Sequence, residues 1–230
     1  MRRHTMSNES IWQGTFHGTG FPALTENLEA DAVIIGGGIT GIMTALKLSQ
    51  AGKKVVVLEA KRVGRGTTGC STGNLHVMPD QGLHAISDKW GKKTAADLVA
   101  SRSAMIDKIE AVVASYQLSC GFSRRPHYLF ALDDKQAHQL EQERGAALEA
   151  GLTAELVAEA PLPFVTGQVL RIEQQAQFHP LSFVGELAGK ISSDRCRIFE
   201  HSTVTGVDDG KMMVKTAQGT VQTGKIIMAT

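Results

Sequence analysis

A parallel α/β fold of Rossmann type is what this 230-residue sequence predicts, and three observations carry it. The first is the run Asp31-Ala-Val-Ile-Ile-Gly-Gly-Gly-Ile-Thr-Gly41, where four consecutive apolar residues lead into a glycine-rich turn. The second is a helical pattern of Ile39, Ile42, Met43 and Leu46 that closes at Ala51-Gly52. The third is a return to a buried-strand pattern, Val55-Val-Val-Leu58, which stops on Glu59. Parallel strands buried on both faces read as continuous apolar runs, so the three together make a βαβ unit.

Each part of that unit has a chemical reading. Gly36, Gly38 and Gly41 permit a tight turn, a close backbone approach to a diphosphate and close packing of helix on strand. The diphosphate would sit at the helix N-terminus, over the first-turn residues Ile39 and Thr40, where unpaired N–H groups and the helix dipole favour negative charge. Glu59 stands where an acceptor for ribose hydroxyls belongs. A bare Gly-x-Gly-x-x-Gly is a weak signal, since a ligand-free tight turn gives the same pattern. Here the strand, the helix and the second strand are all in place, and the dinucleotide reading prevails.

Composition excludes several classes of function. A net charge of +1 points to neither nucleic acid nor an anionic membrane surface. The apolar stretches are too short for a bilayer span, and Met1-Arg2-Arg3-His4 leads into polar residues, so a soluble cytoplasmic protein is expected. Cys70, Cys120 and Cys196 are odd in number and widely spaced, offering neither a disulfide framework nor a metal site.

Along the chain, residues 1–30 lack a period and read as an irregular lead-in, followed by the βαβ unit at 31–59 and a loop dense in Gly, Thr, Ser and Asn at 64–75. Leu98, Val99, Met105, Ile106, Ile109, Val112 and Val113 predict a helix from just after Gly91 to about Tyr116. Phe122 to Leu132 reads as a strand despite Pro126, and Asp133 with Gln136 predicts the cap of a second helix that Gly151 closes. A strand at 167–173, a helix from Pro180 towards Lys190 and short strands at 197–199, 203–207, 212–215 and 225–229 follow. This organisation predicts a lead-in (1–30), a nucleotide-binding domain in two parts (31–104 and 178–230) and a mixed α+β insertion (105–177).

The loop Gly64-Arg-Gly-Thr-Thr-Gly-Cys-Ser-Thr-Gly-Asn-Leu75 bears on which dinucleotide binds. A nicotinamide dehydrogenase needs no second glycine-rich segment directly after the ribose residue. Here Gly64, Gly66, Gly69 and Gly73 permit close approach, while Thr67, Thr68, Ser71 and Thr72 offer hydroxyls and amides to phosphate or a flavin ring, so FAD is favoured. A mobile surface loop is the plain alternative. NADP is disfavoured because Glu59 would repel a 2′-phosphate.

Asp31 to Gly41, Val55 to Ala60, the Gly64 to Leu75 loop, Ala176-Gln-Phe-His-Pro180, Thr203-Val204 and Lys225 to Thr230 resemble the D-amino acid oxidase-type FAD-dependent oxidoreductases. That group includes glycine oxidase, sarcosine oxidase and gamma-glutamylputrescine oxidase, and the similarity covers nearly the whole chain. Ser119-Cys-Gly-Phe122 and the Asp134-Lys-Gln136 helix are most similar to the gamma-glutamylputrescine oxidase branch. Ser10-Ile-Trp12, Phe21-Pro22 and Gly66-Thr-Thr-Gly69 also resemble a branch with a C-terminal Rieske iron-sulfur domain, whose ligands these residues do not include.

The resemblance implies a Rossmann-type (GR2-like) FAD-binding domain with an inserted α+β substrate domain. It implies oxidation of a small-molecule amine or amino acid by hydride transfer to flavin, with no resident metal. The adenine half would be held by Gly36, Gly38, Gly41, Glu59, Ala60 and Arg62, with Val204 packing at the adenine and Ala229-Thr230 closing that side. Gly66, Thr67, Thr68, Ser71, Thr72, Gly73 and Asn74 would run from the diphosphate to the isoalloxazine. Complete members of the group continue well past the equivalent of Thr230, so a C-terminally truncated form that binds FAD weakly or not at all on its own is expected.

Catalytic candidates are few, since flavin itself accepts the hydride. Cys70 reads either as a small buried thiol, the favoured alternative, or as a group that attaches or tunes the flavin. His76 either faces the flavin or caps a turn, and His179 reads as structural. Arg124 and Arg125 are carboxylate-binding candidates, with a solvated arginine as the plain reading. An NAD-linked dehydrogenase and a non-catalytic remnant or nucleotide-sensing module are the rival functions.

Overall fold

The computed structural model describes residues 9–161, 163–164 and 167–230. In chain order α1 (Ile11–Thr15), β1 (Leu28–Ala30), β2 (Ala32–Ile35), α2 (Ile39–Gln50) and β3 (Val55–Leu58) come first. A 3-10 turn, Thr67–Cys70, precedes β4 (Asn74–Leu75), α3 (Leu83–Trp90), α4 (Lys92–Tyr116), β5 (Ser123–Phe130), α5 (Asp134–Glu149), β6 (Ala154–Val157) and β7 (Val169–Gln177). Then follow α6 (Pro180–Ile191), β8 (Cys196–Phe199), β9 (Val204–Asp208), β10 (Met213–Thr216), β11 (Thr220–Thr223) and β12 (Ile226–Met228). These elements form two compact units, one of residues up to Thr72 with Tyr116–Cys120 and His179–Thr230, the other of Gly73–Ser115 with Gly121–Phe178.

In the first unit β12, β2, β3 and β8 lie side by side in that order, all parallel. Every residue of β2 and β3 is buried, as their unbroken apolar runs require. The chain leaves β2 for β3 and β8 on one side and returns on the other as β12. Strand order therefore reverses between β2 and β12, which is where ligands of doubly wound sheets bind. One face of this sheet packs Val33, Ile35, Val56, Leu58 and Phe199 against Val214 and Val221 of a second sheet, ordered β1-β11-β10-β9. On α2, Ile42 and Leu46 are buried, and that helix packs on β2, β3 and α6. α6 starts with Pro180 in its first turn behind the capping residue His179, whose ring nitrogen accepts from the Ser182 amide (3.1 Å).

In the second unit β7 is central. β5 pairs along its length, β6 pairs with Val169–Ile172 and β4 with Ala176–Gln177, all antiparallel. Pro126 is accommodated because β5 pairs only with β7 among the described residues and the register shifts between Arg125 and His127, opposite Gln174 at φ 60°. The core joins Leu170 and Ile172 of β7 to Val99 and Ile106 of α4, Leu83 of α3 and Leu140 of α5. The capping of α5 is as expected, with Asp133 Oδ1 accepting from Gln136 N (2.8 Å).

Three features differ from the sequence reading. The lead-in is not irregular throughout: Ser10 and Gln13 form a reciprocal capping box that starts α1, and β11 recruits Leu28–Ala30 as a parallel partner. Both elements are too short to show a period. Residues 73–104 pack with the second unit, because Val77, Met78, Leu83 and Val99 share its core. β7 runs on to Gln177, since its bulge lets the polar stretch Glu173-Gln174-Gln175 stay in the sheet.

Ile34 is fully buried in β2, against Gly41 of α2. Ile34→Ala is expected to destabilise the chain by about 2–5 kcal/mol in urea denaturation, whereas Lys47→Ala on the exposed side of α2 should change stability by less than about 0.5 kcal/mol.

Candidate cofactor-binding site

The site grows from the carboxyl ends of β2 and β12. Ala229 N donates to the Ile35 carbonyl (2.8 Å) and Gly36 N to the Leu58 carbonyl (2.9 Å), so three strand ends converge. Gly36 has φ 113°, and a Cβ there would lie 2.4 Å from the Ala229 oxygen. At Gly41 a Cβ would lie 1.9 Å from the Gly36 oxygen, so α2 rests directly on the turn. No L side chain fits either place. What the glycines at 36 and 41 secure is backbone contact.

Gly38 caps α2 with no side-chain bond of its own. Thr68 Oγ1 accepts from Ile39 N (3.0 Å) instead, which ties the second glycine-rich loop to the helix start. The remaining first-turn amides, at Thr40 and Gly41, are the donors a helix leaves without an intrahelical partner. Glu59, half-buried, accepts from Gly37 N on Oε2 (2.7 Å) and from Lys61 N on Oε1 (2.8 Å). A carboxylate has further lone pairs for hydroxyl donors. Gly64 N donates to the Gly37 carbonyl (3.0 Å), so both loops are joined at the backbone.

The expected residues fall into two groups. Gly36, Gly38, Ile39, Thr40, Gly41, Glu59, Ala60, Arg62, Gly66, Thr67, Thr68, Ser71, Thr72, Val204, Ala229 and Thr230 all belong to the first unit. Of these, Thr67, Ser71 and Thr72 are exposed, Thr68 is buried, and Val204 packs against the core that holds Ile35 and Leu58. Arg62 lines a groove of about 420 Å³ together with Lys61, Arg65, Gln13 and Glu9. Gly73 and Asn74 belong to the second unit, where Asn74 pairs with Gln177 and Gly73 accepts from Phe178 N (3.0 Å).

The other candidates divide similarly. Cys70 is exposed, which corrects the buried-thiol reading: the 3-10 turn buries Thr68 and Gly69 and turns Cys70 outward. Cys120 and Cys196 are core residues, and burial raises the Cys196 thiol above its ordinary value. Arg124 is neither free nor simply solvated. Its guanidinium meets Glu110 (2.5 Å), Asp107 (2.6 Å) and the Gln174 carbonyl (2.8 Å), and the Glu110 bond is the chief cause raising its pKa against burial. Arg125 is exposed.

His76 stacks on His127 with ring centroids 4.7 Å apart and planes at 13°. Both line an 840 Å³ cavity of the second unit with Tyr128, Gln136, Leu140 and Glu143. Nδ1 of His76 lies 3.0 Å from the Met78 carbonyl and so carries the proton. Burial, with the neighbouring His76 adding to it, lowers the His127 pKa to about 4. Among the described residues no cluster of three or more His, Cys, Asp or Glu is placed to hold a metal, and no helix is long and apolar enough to cross a membrane.

Sequence reasoning missed Glu200 and Ser202, both buried, which hold the loop after β3 from behind. No local signal marks them, since their partners lie at residues 19–24 and 59–63.

A parallel sheet with its glycine turn at the switch point and an acidic residue ending the next strand defines a dinucleotide-binding protein of the doubly wound class. Residues 31–230 match the family described as FAD dependent oxidoreductase (DAO), and the chain belongs to that family. It is 30% identical over 203 residues to "Putative Rieske 2Fe-2S iron-sulfur protein YhfW" of Bacillus subtilis, covering 88% of this chain and 40% of that protein. To gamma-glutamylputrescine oxidoreductase of Escherichia coli it is 31% identical over 218 residues, 91% of this chain and 50% of the relative. The chain thus spans half or less of the length of these relatives. Glycine oxidase from Geobacillus kaustophilus shares the fold with a TM-score of 0.75 at 16% identity, over 89% of this chain and 56% of that one.

Folding favours neutral His127, whose ordinary pKa is about 6.5. Both folded and unfolded states are neutral above pH 6.5. Between pH 6.5 and 4 the unfolded chain binds a proton that the folded chain does not, so stability falls as pH falls through that window. His127→Phe is expected to flatten this fall in thermal melts at pH 4 to 7, without changing the profile above pH 7.

Proposed function

We propose that the glycine turn and the 59–72 loop hold the ADP part of FAD and that the protein oxidises an amine or amino acid by hydride transfer to the flavin. The observation that carries this reading is the backbone-lined turn at the switch point, with Gly36 under Ala229, Gly41 on Gly36 and Glu59 beside them. A diphosphate fits there because the first-turn amides of α2 at Thr40 and Gly41 are its natural donors, beside the Thr68 hydroxyl that already meets Ile39 N. Glu59 then accepts from the adenosine ribose, and Arg62 and Val204 flank the adenine. Gly66, Thr67, Thr68, Ser71 and Thr72 carry the loop along the diphosphate, with Gly73 and Asn74 continuing towards the flavin ring. FAD when bound supplies the hydride acceptor.

The second unit serves in this reading as the substrate-side domain, and His76 is its candidate catalytic residue. Arg124 is assigned to the fold, because its guanidinium is already committed to α4. The amine or amino-acid substrate class is taken from the relatives. The remaining half of a protein of their length, and a Rieske domain of the kind named for the Bacillus subtilis relative, are the partners it anticipates. Cys70, Cys120 and Cys196, none of them in a disulfide, suit a reducing cytoplasm.

Titration of the purified chain with FAD, ADP, FMN and NAD, followed by calorimetry, tests the cofactor assignment. FAD and ADP are expected to compete for one site and FMN, which lacks the adenosine, not to bind. Glu59→Ala should weaken FAD and ADP by about tenfold, the loss of one or two charge-assisted hydrogen bonds. Binding of NAD without FAD would sink the reading.

A further inference from the structure

We infer that the segment Ser10–Leu24 is the positioning element of the dinucleotide loops, with the buried carboxylate of Glu200 as its anchor; this rests on the dinucleotide reading above. The segment lies outside residues 31–230, the part that matches the family.

The segment grips the site from two directions. At its start, Ser10 Oγ donates to the Gly69 carbonyl and Trp12 Nε1 donates to the Ser71 carbonyl (2.8 Å), which fixes both ends of the exposed Cys70 turn. Thr15 Oγ1 lies 2.9 Å from His179 Nε2, while Nδ1 of the same ring accepts from Ser182 N. That pairing assigns the ring proton to Nε2 and seats α1 on the start of α6. Trp12 packs edge-on against the same imidazole, with centroids 4.8 Å apart.

At its other end the segment shares a buried anchor with the loop after β3. Glu200 is 1% exposed, and its carboxylate accepts from Thr19 Oγ1, Phe21 N (3.2 Å) and Val63 N (2.8 Å). Ser202 Oγ accepts from Leu24 N (2.9 Å) and donates to the Glu200 carbonyl (2.8 Å). The backbone amides of His201 and Ser202 donate to the carbonyls of Lys61 and Glu59, each at 2.9 Å. Glu59 is therefore held by its carbonyl from behind while its carboxylate meets Gly37 N in front.

A carboxylate so buried is tolerable only when its lone pairs are met, and here three donors from two separate stretches of chain, 19–21 and Val63, meet them. The shape of residues 59–71 thus depends on residues 10–24 although the two are far apart in sequence. None of the hydrogen bonds made by the segment itself involves the Gly36 to Gly41 turn. The segment acts by preorganising the loop, so losing it lowers nucleotide affinity through the cost of ordering rather than through a lost contact.

The test uses the full chain and two variants, Glu200→Gln, which turns one acceptor into a donor facing an amide, and Trp12→Phe, which keeps an aromatic ring but removes the indole N–H together with part of the ring. Amide hydrogen exchange by mass spectrometry and calorimetric titration with ADP and FAD are measured on each. In both variants exchange is expected to accelerate across residues 59–71 and to stay unchanged in β2 and α2. Affinity for ADP and FAD should fall about tenfold in Glu200→Gln and about threefold in Trp12→Phe. Wild-type exchange rates at 59–71 in a folded variant, or faster exchange with unchanged affinity, would overturn the inference. Should Glu200→Gln not fold, Trp12→Phe decides. A wild-type chain that binds neither nucleotide defeats the dinucleotide reading instead, and the exchange comparison alone then upholds or overturns the control of 59–71 by the segment.

Discussion

The approach of three backbones at the ends of β2, β12 and α2 is the constraint on which the first unit depends. Gly36 sits beneath the Ala229 carbonyl and Gly41 on the Gly36 carbonyl, each at a spacing that leaves no room for a side chain. Strand spacing, the start of the helix and the accessibility of its first amides all follow from that contact. A methyl group at Gly41 would have to push α2 off the sheet, and with it Ile42 and Leu46, which are buried beneath the helix. Packing of the core and the form of the turn are thus the same requirement seen from two sides.

Much of this was legible in the sequence because it is local and periodic. The apolar runs of β2 and β3, the helical spacing of Ile39 to Leu46 and the position of Glu59 lie within one stretch of 29 residues, 31 to 59. The caps of α5 and α6 were equally plain, since Asp133 and Pro180 carry their meaning within one turn. The rest is long-range. Glu200 gives no signal because its partners are a hydroxyl and two amides far along the chain. Cys70 was misread because a cysteine's burial is set by which way a single 3-10 turn faces, and composition does not carry that.

The second unit shows how polar residues in a strand acquire partners that pattern alone does not assign. Arg124 lies on β5 within reach of Asp107 and Glu110, which are spaced to share one side of α4, and the guanidinium links strand to helix. His127 meets a second imidazole instead of an acid. Charging it would place a cation in a half-buried site beside a second imidazole, so His127 stays neutral where an exposed histidine would titrate.

The position of β2 between β3 and β12 has a consequence for how the chain is made. Its neighbour β3 follows closely, but the strand that covers its other edge is Ile226–Met228. At synthesis rates of about 5–20 residues per second, the intervening chain takes roughly 10–40 s to emerge. For that time this fully buried strand has one unsatisfied edge, and β1 likewise awaits β11. Such late, distant pairing makes for slow folding, and it concentrates the hazard of premature association on the same strand that ends in the glycine turn.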